Sequence, residues 1–137
     1  MNRSEFKRIA RIRSAEADSL LASRQYSGAY YLAGYAVECA LKAVIAKQTR
    51  RFEFPDKERV NKSFTHKLDD LLKLAGLENV WLAAIITNPT QLNNWAVIKD
   101  WSESSRYRVI PRQEAVDLTG AINDPIDGML MWLTQYW

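Results

Sequence analysis

One cysteine and one histidine occur in the 137 residues of this chain. The lone Cys39 builds no disulfide framework and no cysteine-rich metal site within one chain, and it points to a reducing compartment. The lone His66 excludes paired-histidine metal motifs. The five glycines are scattered, so neither a P-loop nor a dinucleotide-binding fingerprint can be drawn. No nucleophile-elbow pattern supports a Ser-His-Asp triad. No apolar/polar alternation runs long enough to require a strand. The opening MNRSEFKRIARIRS is basic and has no apolar run, which predicts that it is not a secretory signal. The expectation from these absences is a cytoplasmic protein with no metal and no cofactor.

Lys and Arg are also missing after Arg112. Residues 1–62 hold thirteen Lys/Arg against seven Asp/Glu, a net +6, while the remainder holds six against nine, a net −3. Such a basic half suits either a set of solvated helix faces or a phosphate-binding surface.

What is present is material for helices. Hydrophobic residues make up 47% of the chain, enough for one domain spanning residues 1–137 with one core. An amphipathic helix is predicted over 4–23, capped by Ser4, with Phe6, Ile9, Ile12, Leu20 and Leu21 on one face. A second helix, 26–49, is apolar nearly all round and is predicted to be central. It approaches membrane-span length, but Glu38, Lys42 and three tyrosine tips interrupt it, so a buried helix of a soluble bundle is expected. Residues 50–64 read as a long charged loop broken by Pro55. A helix then starts at Thr65 and stops at Gly76, and a short one covers 78–87. The next is capped by Thr90 and precedes a polar break, SESSRYRVIP. The last starts at Pro111 and is interrupted at Pro125. The predicted fold is all-α, an up-and-down bundle of about five helices.

The apolar stretch YYLAGYAVECALKAVIA contains a carboxylate, Glu38. A buried charge is costly unless paired. Two partners are open: Lys42, one turn on at the favourable spacing, or Arg106 from the break before the last helix. In the same break, SRYR sets Arg106 and Arg108 around Tyr107, two planar forks suited to phosphate and a ring suited to stacking. His66, at a helix start, either covers the loop or lines a cleft. Trp95, Trp101, Trp132 and Trp137 are expected in packing.

Three pieces in order, YSGAYYLAGYAVECALKAVIA, FTHKLDDLLKLAGL and DWSESSRYR, resemble the HEPN family from about Ala15 to Trp132. The resemblance implies a helical bundle acting as a homodimer, which binds nucleotides or RNA, often beside a nucleotidyltransferase in toxin–antitoxin or defence systems. Catalytic members of the family are metal-independent ribonucleases with an Arg followed after four to six residues by a His. Here the positions after Arg106 are Pro111, Arg112 and Gln113. Arg59 and His66 match the spacing but stand before the third long helix. The expectation is therefore a binding protein that does not cut its ligand, with Lys42, Arg106, Tyr107 and Arg108 at phosphate or nucleotide and with Glu38 and His66 in a polar network. The alternatives are a ribonuclease using His66 and Arg106, or a protein-interaction scaffold with no ligand.

Overall fold

The computed structural model describes residues 1–49, 54 and 56–137, and all regular structure among them is helical. Eight α-helices follow one another: α1 (Arg3–Ala22), α2 (Tyr26–Gln48), α3 (Lys57–Lys62), α4 (Leu68–Leu74), α5 (Glu78–Thr87), α6 (Pro89–Ile98), α7 (Arg112–Asn123) and α8 (Met129–Leu133). A 3-10 turn, Glu103–Tyr107, stands between α6 and α7. The all-α expectation holds, with more and shorter helices than the five or so predicted.

Each difference has a local cause. In the predicted 50–64 loop, Asp56 accepts from the Glu58 amide and caps α3, and Glu58 pairs with Lys62 one turn on at 2.9 Å. Residues 50–53 and Pro55 of that loop lie outside the described residues. Asn2, not Ser4, caps α1, because Glu5 returns a bond to the Asn2 amide and closes a capping box. Asn88, not Thr90, caps α6. Gly76 ends α4 with φ +71, a left-handed conformation that favours glycine. The chain breaks between α7 and α8 where the Asp124 carboxylate accepts from the amides of Ile126 and Asp127, and these two bonds hold its pKa below the ordinary value.

α2 is the axis of the bundle and packs against α1, α4, α7, α8 and the 3-10 turn. By length and hydropathy it could cross a membrane, but 72% of its most apolar window is buried inside the bundle. Five of its alanines are completely buried, as are Ala10 and Ala17 of α1, so the two helices approach closely. Trp81 packs edge-on to Trp95 and at 4.6 Å to Trp132, which joins α5, α6 and α8. Cys39 is buried on α2. Burial, and next to it the Glu38 charge, push its thiol up to about 11, so it serves as a small packing residue and offers no thiolate near neutral pH.

Candidate functional site

Glu38 sits midway along α2 and is 2% exposed. Its Oε1 accepts from Lys42 Nζ at 2.9 Å, one helical turn on. The same oxygen lies 2.9 Å from Nδ1 of His66, which enters from the short loop before α4. Leu68, Leu71 and Leu72 bury α4 in the core and so fix where that loop stands. The other ring nitrogen, Nε2, lies 3.1 Å from Glu103 Oε2 in the 3-10 turn. A continuous polar chain, Lys42–Glu38–His66–Glu103, thus ties α2 to the α4 entry loop and to the 3-10 turn. Glu38 Oε2 is buried and has no hydrogen-bond partner among the described residues.

Of the two partners left open for Glu38, the structure selects Lys42 and adds His66. No hydrogen bond or ion pair joins Arg106 to Glu38 among the described residues. From the same 3-10 turn Glu103 meets His66 at 3.1 Å, while the exposed Arg106 turns to the Tyr107 ring. The Arg106 guanidinium lies 4.9 Å from the Tyr107 ring centroid. Tyr107 first, then Tyr31 and the Glu103 charge, hold its pKa above the ordinary arginine value.

The predicted contact residues are thus divided. Arg106 and Tyr107 stand together at the surface, and Tyr107 is 79% exposed. Arg108 pairs with Glu114 at 3.1 Å, a half-exposed pair of small worth. The Lys42 charge is taken up by Glu38. Lys42 also lines a cavity of about 350 Å³ between α1, α2 and α3, together with Phe6, Ile45, Arg59 and Phe64. Arg59 donates to Gln48, and among the described residues no hydrogen bond joins it to His66. Among the described residues no group of three or more His, Cys, Asp or Glu converges to hold a metal ion.

Beneath the turn lies an aromatic ladder. Tyr35 stacks on Tyr31 at 6.2 Å, and Tyr31 stacks on Trp101 at 6.1 Å. Trp101 in turn lies against Gly34, where a Cβ would fall 2.2 Å from the indole. The glycine lets the indole settle onto α2 and so sets the path of the chain into the 3-10 turn.

A family model for the HEPN domain matches residues 4–123, a stretch that takes in the whole polar chain and the 3-10 turn. The protein belongs to the HEPN family. Neither a curated protein nor a solved structure matches the chain. Within this HEPN domain, Pro111, Arg112 and Gln113 stand where the His of the ribonuclease signature would follow Arg106. His66 stands on a different segment from Arg106, with Glu38 Oε1 at 2.9 Å and Glu103 Oε2 at 3.1 Å.

Sequence reading missed Glu103 and the Tyr35–Tyr31–Trp101 ladder. For the ladder a signal existed, since Tyr31 and Tyr35 stand one turn apart beside Gly34. For Glu103 no signal existed, because only the tertiary fold brings it to His66.

Proposed function

We propose that this HEPN domain binds a nucleotide or a segment of RNA without cutting it, with Arg106 and Tyr107 as the contact pair. The observation that carries the reading is their placement. An exposed guanidinium and an exposed ring share a short turn that the Glu103–His66–Glu38 link and the Trp101–Gly34 contact anchor to the central helix. Arg106 forms no ion pair with a carboxylate among the described residues; Tyr107 and Tyr31 are its neutral partners, so its charge is left for phosphate oxygens. The Tyr107 face suits a base. Arg108 can exchange its weak pair with Glu114 for a second phosphate. Lys42 acts indirectly, by neutralising Glu38.

Both nitrogens of His66 face protein carboxylates, so neither is free to take a proton from a ribose hydroxyl. That supports binding over cleavage. Family membership supports the remainder of the reading: a cytoplasmic homodimer that works beside a nucleotidyltransferase partner.

Titration with ATP, GTP and short oligoribonucleotides at low salt tests the proposal. Saturable binding is expected, and Arg106→Ala or Tyr107→Ala should each weaken it about tenfold, in line with the worth of one stacked base. Absence of saturable binding would contradict it. RNA incubated with the protein and a chelator should stay intact. Cleavage that disappears in His66→Ala would replace this reading with a ribonuclease.

A further inference from the structure

A second cationic surface lies on α1. Arg3, Lys7 and Arg11 follow at four-residue steps, so they line one side of the helix at about 6 Å per step. None of them forms an ion pair with a carboxylate side chain among the described residues, whereas Arg13 on the same helix pairs with Glu16 at 2.8 Å. Trp137 gathers the row. Arg3 donates to its main-chain oxygen at 2.6 Å, while Lys7 Nζ and the Arg11 guanidinium lie 5.5 and 4.9 Å from its ring centroid.

The pKa of Lys7 is held below the ordinary lysine value, by desolvation first and then by the charges of Arg3, Arg11 and Lys47. The three side chains whose charges act on this ammonium are all positive. Like charges one turn apart oppose helix formation, yet the fold holds these against one buried indole. A polyanion would relieve that repulsion.

We infer that this row binds the phosphate backbone of an RNA strand, a strand long enough to reach the Arg106–Tyr107 turn as well. The inference rests on the proposed function and narrows its ligand to an oligoribonucleotide. Distance supports the narrowing. Trp101, which leads into the turn, stacks on Tyr31, and Phe6, next to Lys7, lines a cavity with Ile45; Tyr31 and Ile45 are fourteen residues apart on α2, about 21 Å along the axis. A mononucleotide does not span that length, and a strand of several nucleotides does. Two of the three cations are arginines, whose forks match phosphate oxygens.

The test compares wild type with Lys7→Gln/Arg11→Gln, which keeps Trp137 in place, by anisotropy of a labelled oligoribonucleotide of about 12 nucleotides. The double variant should bind about tenfold more weakly at low salt, and its salt slope should fall by about 1.4, two single-strand contacts' worth. ATP affinity should not change. Thermal unfolding reports whether the variant is folded, and Lys7→Arg should keep wild-type affinity. Unchanged oligoribonucleotide affinity and slope in the double variant would overturn the inference and leave the proposed function standing. Full oligoribonucleotide affinity in Arg106→Ala would overturn the proposed function instead. Equal affinity of wild type for poly-glutamate would overturn the assignment to RNA and give the row to an acidic protein segment.

Discussion

Replacing Gly34 by Ala should lower the unfolding free energy by about 3 kcal/mol, the upper end for overpacking a core. The added methyl would fall 2.2 Å from both Cε2 and Nε1 of Trp101. The indole cannot retreat easily, since it is 2% exposed and stacked on Tyr31. Relief requires the 3-10 turn to part from α2, and that would carry Glu103 away from His66. Gly120→Ala in α7 is the control. Nothing lies within 4 Å of a Cβ there, so the same methyl should stabilise the helix by up to about 1 kcal/mol through propensity alone. Urea unfolding of both variants decides the matter. A Gly34→Ala protein as stable as wild type would mean that Trp101 does not rest on α2.

The second large effect concerns the buried acid. Lys42→Met should cost about 3 kcal/mol, because removing one partner leaves a desolvated carboxylate short of compensation. The figure sits at the low end of the range for buried pairs, since the Lys42 side chain keeps 15% exposure and His66 still faces Glu38. In a Glu38→Leu background the same Lys42→Met change should cost close to nothing, for no buried charge then remains to be orphaned. The double-mutant cycle isolates the pair. Equal costs of Lys42→Met in the two backgrounds would show that Lys42 contributes only packing.

Much of the fold was legible because it follows from local chemistry. The all-round apolar character of 26–48 marked the central helix, Gly76 marked a helix end, and Pro125 marked the break before α8. Helix α3 was hidden because its charges read as a loop, although Asp56, Glu58 and Lys62 carry a cap and an i,i+4 pair. At the site, Lys42 was legible as a partner of Glu38 because the pair is four residues apart on one helix. Arg106 was a plausible partner by charge alone, and the geometry of the 3-10 turn sent Glu103 toward His66 instead. Long-range acid–base pairing depends on which side of a short turn faces inward, and spacing along the chain does not carry that information.

The central claim is that His66 fastens the 3-10 turn to the buried acid of α2. Amide hydrogen exchange, read residue by residue in wild type and His66→Ala, tests it most directly. The Ser105 and Arg108 amides bond the carbonyls of Ser102 and Ser105 at 3.1 and 3.0 Å and report on the turn. Their exchange should quicken about tenfold in the variant while amides in the core of α1 keep their protection. Unchanged protection at Ser105 and Arg108 would contradict the claim.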